Sequence, residues 1–66
     1  MNIGIIGCGL IGWKRALSIP SSMNIHIVCD TNVSNGKKLA NKIGSSFTND
    51  FSDIINNPDI DIVIIS

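Results

Sequence analysis

A glycine-rich hexapeptide, Gly7-Cys8-Gly9-Leu10-Ile11-Gly12, restricts the fold of this chain more than any other feature. It follows a short apolar run at 3–6 and precedes a segment with helical character. The GxGxxG spacing between a strand and a helix is typical of the phosphate-binding turn in doubly wound α/β domains. The sequence therefore predicts a parallel sheet whose first strand, turn and helix surround this loop.

Asp30 closes a second apolar run, Ile25-His26-Ile27-Val28-Cys29, about 20 residues after the glycines. A carboxylate at this place accepts hydrogen bonds from the ribose hydroxyls of NAD and repels the extra 2′-phosphate of NADP. No arginine follows within the next few residues to neutralise that phosphate. We therefore expect NAD rather than NADP. Asp30 as the cap of the following helix is the alternative, and the two roles are compatible.

Each position of the loop has a physical reason. Gly7 permits the tight turn, Gly9 lets a pyrophosphate approach the backbone, and Gly12 lets the helix pack closely on the strand. The amides of Leu10 and Ile11 are expected to face the phosphates from the helix N-terminus. A P-loop would need a GK[ST] ending, which is absent. An S-adenosylmethionine methyltransferase fits the spacing of the third glycine less well.

Hydrophobic patterning predicts seven alternating elements, the N-terminal βαβαβαβ part of a Rossmann-type α/β fold. Strands are predicted at 2–6, 24–29, 45–48 and 60–65. The first helix runs from about Leu10, with Ala16 and Leu17 on its inner face, to a stop at Pro20. The second carries Leu39, Ala40 and Ile43 and ends at Gly44. A short third helix over 51–56, capped by Asn49 or Asp50, has the predicted inner residues Phe51, Ile54 and Ile55.

Composition excludes several classes of function. The net charge is zero and the pI is about 6.5, so nothing favours nucleic-acid binding. No apolar run approaches membrane-spanning length and no signal peptide opens the chain, so we expect a cytoplasmic protein. Cys8 and Cys29 match no metal or redox motif and are predicted to be small buried side chains rather than a disulfide.

Four other residues have both a structural and a functional interpretation. Trp13 is predicted to pack in the interior rather than against a ligand, and His26 to be structural. Gly36 inside the second helix indicates either close packing or a late helix start. Ser66 follows the last strand, where ligands gather, and is either a cofactor contact or a plain strand end.

The length of 66 residues accommodates one half of a dinucleotide-binding domain. We expect residues 1–66 to be the N-terminal part of such a domain in a longer protein. The catalytic and substrate-binding domain would lie outside this chain. The segment offers no candidate catalytic residue and no metal ligand set.

The chain resembles the N-terminal domain of the glucose-fructose oxidoreductase / inositol dehydrogenase (Gfo/Idh/MocA) family over nearly its whole length. The segments that carry the resemblance are the glycine loop with Arg15-Ala16 after it, Ile27-Val28-Cys29-Asp30, Leu39-Ala40 ahead of Gly44, Phe47-Thr48-Asn49-Asp50-Phe51, and Pro58-Asp59-Ile60-Asp61-Ile62-Val63-Ile64-Ile65-Ser66.

The resemblance implies an NAD(P)-dependent oxidoreductase that passes hydride between nicotinamide and a sugar, a cyclitol or a related compound. It carries cofactor contacts onto Gly7, Gly9, Leu10, Ile11, Gly12, Asp30 and Ser66. The family's catalytic lysine, in a Glu-Lys-Pro segment, and its catalytic histidine lie downstream of Ser66. We expect the full-length protein to be a homo-oligomer that binds its small-molecule substrate with the second domain. A non-catalytic dinucleotide-binding fragment or redox sensor is the alternative.

Overall fold

Four parallel strands and three helices alternate along the chain in a computed structural model that describes all residues from Met1 to Ser66. The strands form one sheet in the order β3-β2-β1-β4, so the Rossmann-type α/β prediction is confirmed. None of the three helices is long and apolar enough to cross a membrane. The elements are β1 (Asn2–Ile6), α1 (Leu10–Ser18), β2 (Asn24–Cys29), α2 (Val33–Ile43), β3 (Ser46–Thr48), α3 (Ser52–Ile55) and β4 (Ile62–Ile65).

The central strand β1 is covered on both faces, which explains its continuous apolar sequence. Ile3 and Ile5 are buried in a cluster that α1 and α2 complete. On the other face, a Cβ added to Gly4 would lie 2.6 Å from Cγ2 of Ile54 in α3. The sheet is therefore the middle of three layers, and the glycine loop emerges at its carboxyl edge.

Individual residues at the two ends of α2 determine where the helix begins and ends. Its N-cap is Asn32, whose side chain accepts a hydrogen bond of 3.1 Å from the amide of Asn35. The alternative interpretation of Asp30 as the cap of this helix is therefore wrong. Gly44 ends the helix in the left-handed conformation, with φ of 72°, as predicted. Gly36 lies inside the helix because the ring of Phe47 packs against it, so the close-packing interpretation is confirmed.

Strand β2 contains one residue more than its pairing with β1 requires. Ile3 pairs with Ile25 and Gly4 with Ile27, so His26 has no partner. Ile25 and Val28, three residues apart, consequently pack on the same core cluster, although strict alternation would place them on opposite faces.

The predicted inner face of α3 is only partly right. Ile54 is buried, but Phe51 and Ile55 are 61% and 55% exposed. The helix is a single turn, so only one of its apolar side chains reaches the sheet. Asp50 accepts hydrogen bonds from the hydroxyl and the amide of Ser52 at 2.8 and 3.0 Å, which hold the pKa of this carboxyl below its usual value.

In helix α1, one predicted residue position is wrong and others are confirmed. Leu17 is 61% exposed rather than on the inner face, whereas Ala16 is buried there as predicted. Trp13 is half-buried and packs against the core cluster, as predicted.

Strands β3 and β4 begin one and two residues later, respectively, than the apolar runs indicated.

Candidate functional site

The glycine loop makes a sharp turn at the end of β1. Gly7 has φ of +99°, a conformation that favours glycine. Its amide donates to the carbonyl of Cys29 at 2.8 Å, so the turn is tied to the end of β2. A Cβ at this position would also lie 2.5 Å from the carbonyl oxygen of Ser66. The predicted reason for Gly7, a turn without steric cost, agrees with this geometry.

The other two glycines have opposite surroundings. A Cβ on Gly12 would overlap the carbonyl oxygen of Gly7, because the first turn of α1 rests directly on the loop. A Cβ on Gly9 would meet nothing within 4 Å. Gly12 is therefore required by packing inside the protein, whereas Gly9 faces open space above the carboxyl edge of the sheet.

The first turn of α1 presents unpaired backbone donors. The amides of Gly9, Leu10, Ile11 and Gly12 donate no hydrogen bond within the chain, and the helix ladder begins with Trp13 donating to Gly9 at 2.9 Å. The side chains of Leu10 and Ile11 are exposed and offer no competing acceptor. Free amides and the positive end of the helix dipole together favour an anion at this position.

Asp30 lies at the end of β2, directly beside the loop. One carboxylate oxygen accepts a hydrogen bond from the amide of Cys8 at 2.8 Å, and the other accepts from the amide of Asn32 at 2.9 Å. A carboxylate offers about four acceptor positions, so about two remain for an outside donor. The residue is half-buried and lines the cavity described below.

Ser66 lies against the same loop from the side of β4. Its amide donates to the carbonyl of Ile6 at 2.9 Å and its hydroxyl donates to the carbonyl of Gly7 at 2.8 Å. The structure thus brings every predicted site residue to one region at the carboxyl edge of the sheet: Gly7, Gly9, Leu10, Ile11, Gly12, Asp30 and Ser66.

A cavity of about 190 Å³ opens beside Asp30. Its lining adds three residues that the sequence did not identify as part of the site: Thr31, Asn49 and Phe51. Asn49 and Phe51 follow β3, and the carboxyl ends of parallel strands share one edge, so their position after a strand was the available signal. The remaining lining residues are Ile6, Gly7, Cys29 and Asp30.

The two thiols beneath the loop are buried and unreactive in character. Burial, the negative charge of Asp30 and the neighbouring Cys29 raise the pKa of Cys8 to about 11, against its hydrogen bond to the Cys29 carbonyl. Burial, followed by the charges of Asp30, Asp50 and Asp53, also raises the pKa of Cys29. Both cysteines are free, which confirms the prediction of small buried side chains without a disulfide.

This arrangement is suited to binding rather than to bond making. The helix N-terminus can hold a diphosphate, Gly9 leaves room for it, and the carboxylate of Asp30 can accept from neighbouring hydroxyls. The residues present therefore fit the diphosphate and ribose of a dinucleotide.

Comparison with known proteins also indicates a dinucleotide-binding domain. Residues 1–66 match the family model GFO_IDH_MocA, described as an oxidoreductase family with an NAD-binding Rossmann fold. No curated protein matches the chain in sequence.

Solved structures of similar fold span far more than this chain. A myo-inositol dehydrogenase from Corynebacterium glutamicum is 22% identical with a TM-score of 0.91, over 100% of this chain and 20% of that one. A myo-inositol dehydrogenase from Lactobacillus casei, in complex with NAD(H) and myo-inositol, is 20% identical (TM-score 0.87; 100% and 21%). A biliverdin reductase from Synechocystis sp. PCC 6803, in complex with biliverdin and NADP+, is 25% identical (TM-score 0.89; 98% and 21%). The chain thus spans about a fifth of the length of these proteins.

Proposed function

We propose that this chain, which belongs to the GFO_IDH_MocA family of oxidoreductases with an NAD-binding Rossmann fold, forms the cofactor-binding part of a dehydrogenase. The full-length protein would transfer hydride between nicotinamide and a sugar, a cyclitol or a related small molecule. Nicotinamide supplies the hydride chemistry when bound, while the protein orients it and the substrate.

The observation that carries this proposal is the set of four free amides at the start of α1 beside the carboxylate of Asp30. Gly9 to Gly12 would hold the pyrophosphate, and Gly9 leaves it room because its open side has no neighbour within 4 Å. Gly7 and Ser66 would support the loop from beneath, since the Ser66 hydroxyl donates to the Gly7 carbonyl.

We further propose NAD as the preferred cofactor. Asp30 lines the cavity, and its carboxylate would accept from the ribose hydroxyls while its charge would repel a 2′-phosphate. The lysines nearest in sequence, Lys37 and Lys38, lie on the exposed surface of α2 and do not line the cavity. Both NAD(H) and NADP+ occur in complexes of the structural neighbours, so Asp30 carries this preference.

Neighbours that are described as inositol dehydrogenases support the proposed substrate class. Residues 1–66 would be the N-terminal part of a dinucleotide-binding domain, and the residues that contact substrate would belong to a second domain. A homo-oligomer in the cytoplasm is the expected assembly and location. These features are proposals about a whole protein, because this chain spans about a fifth of the length of the structural neighbour.

Titration of the full-length protein with NADH and NADPH tests the cofactor, and NADH formation with myo-inositol or simple sugars tests the reaction. We expect saturable NADH binding, weaker NADPH binding and turnover of at least one polyol. Tighter NADPH binding would contradict the role given to Asp30. NADH binding without turnover of any polyol would favour a non-catalytic dinucleotide-binding protein or redox sensor instead.

A further inference from the structure

The carboxylate of Asp30 makes contacts that ribose recognition does not require. Its two oxygens accept from the backbone amides of Cys8 and Asn32, and its own amide donates to Thr48 at 3.3 Å. Asp30 is thereby fixed to β3 by its backbone. Its side chain joins the glycine loop to the turn that precedes α2.

The loop needs such a tether because its neighbouring glycines have wide conformational freedom. Cys8 lies between Gly7 and Gly9, and the free amides begin one residue after it. Two neutral contacts also hold this part of the loop, from the Gly7 amide and the Cys8 thiol to the Cys29 carbonyl at 2.8 and 3.2 Å. The bond to Asp30 is the charged one and is expected to be roughly twice as strong as a neutral bond.

We propose that Asp30 is a positioning residue for the phosphate-binding loop as well as the acceptor for the ribose hydroxyls. This inference rests on the proposed function. One side chain would then set the geometry of the pyrophosphate site and recognise the ribose. Removing the carboxylate to admit the 2′-phosphate of NADPH also releases the loop, so the change alone does not produce a tight NADPH site.

The test separates the two roles by changing both the protein and the ligand. Full-length wild type and Asp30→Ala are titrated with NADH and with an NADH analogue whose adenosine ribose lacks its 2′ and 3′ hydroxyls. The analogue cannot reach Asp30 through the ribose, so any remaining loss of affinity arises from the loop. We expect Asp30→Ala to weaken the analogue by about tenfold, the effect of losing one charged hydrogen bond. Asp59→Ala, which removes an exposed carboxylate at the opposite edge of the sheet, should leave the affinity unchanged.

Asp30→Asn tests the same point while keeping the side-chain shape. Each carboxylate oxygen of Asp30 accepts from one of the two backbone amides, and asparagine replaces one of these oxygens with an NH2 donor, so the amide of Cys8 or of Asn32 loses its acceptor. We expect weaker analogue binding and faster hydrogen exchange in the peptide that contains Cys8. If Asp30→Ala fails to fold, Asp30→Asn decides the outcome.

The outcomes are distinguishable. If the wild type binds neither NADH nor NADPH, the proposed function is wrong and the inference falls with it. If the wild type binds NADH and both variants bind the analogue as tightly as wild type does, Asp30 acts only through the ribose and the inference is overturned.

Discussion

At the scale of single residues, the three loop glycines differ in the reason why a side chain is excluded. Gly7 is required by its backbone conformation and Gly12 by the carbonyl oxygen that its missing Cβ would overlap. Gly9 is required by neither, since its open side has no protein neighbour within 4 Å. The glycine motif thus contains two positions where glycine serves the fold and one where it would serve the ligand.

This difference predicts that Gly9→Ala and Gly12→Ala separate binding from stability. Gly9→Ala should change the free energy of unfolding by less than about 0.5 kcal/mol. It should nevertheless weaken NADH about tenfold or more by displacing the phosphates from the amides. Gly12→Ala should destabilise the protein by about 3 kcal/mol, because backbone atoms cannot move aside easily. Chemical denaturation and NADH titration of both full-length variants measure the two effects, and equal loss of stability would contradict the distinction.

A second prediction at this scale concerns the Cys8 thiol. Folding raises its pKa from the ordinary value of 9.0 to about 11. The unfolded chain therefore releases this proton first as the pH rises. The stability contribution of Cys8 should be complete below about pH 9, fall between pH 9 and 11, and level off above that, where both states have lost the proton. Urea unfolding at pH 8 and pH 10 should show a larger alkaline loss for wild type than for Cys8→Ala. An equal loss in the two proteins would refute the prediction.

At the scale of elements, much of the fold was predictable because the signals are local. The bounds of β1 and β2 and the start of α1 agree with the sequence patterns, and Gly44 ends α2 where its left-handed conformation allows. Apolar runs, a proline and a glycine are sufficient for this. The grouping of the candidate site residues at one edge of the sheet was predictable for the same reason, because the loop and Asp30 follow directly after strands.

Other features depend on contacts that no local pattern contains. The exposed faces of Phe51 and Ile55 could not be predicted, because one helical turn is too short for a period to define its inner side. The unpaired His26 is hidden within a run that is apolar on both sides of it. The sequence pattern indicates Asn49 and Phe51 only as parts of a short helix and contains no signal for the cavity that they line.

The contact between α2 and β3 reverses a general expectation about helical glycine. An exposed Gly→Ala change within a helix usually stabilises by about 1 kcal/mol. At Gly36 the new Cβ would overlap the ring of Phe47, so Gly36→Ala should destabilise by about 1–3 kcal/mol. Thermal denaturation of the variant measures this loss.

Phe47→Leu provides the control, because a smaller side chain leaves room for the Cβ. Gly36→Ala should cost much less, or become stabilising, in the Phe47→Leu background. Simple additivity of the two changes would mean that the ring does not cause the effect.

At the scale of the whole molecule, the sheet is well covered near β1 and β2 and poorly covered elsewhere. Only 12 of the 66 residues are buried, and Ile65 in β4 is 75% exposed. A chain of this length buries roughly 60% of its unfolded surface and is marginal in stability.

We therefore predict that a polypeptide of residues 1–66 unfolds broadly and at a lower temperature than the full-length protein. Circular dichroism of the two during heating provides the measurement. A sharp transition of the short polypeptide near the melting temperature of the full-length protein would contradict this prediction. In that case, covering these exposed apolar side chains in the full-length protein would add little to its stability.

The unpaired His26 has a consequence for how sites of this kind are recognised. Because this residue bulges out of the pairing between β1 and β2, the residues after it keep the register they would have without it. A chain shortened by one residue at position 26 would place the same carboxylate beside the same loop. The number of residues between the last glycine and the acid is therefore free to vary by one, and a pattern search that demands a fixed interval would overlook equivalent sites.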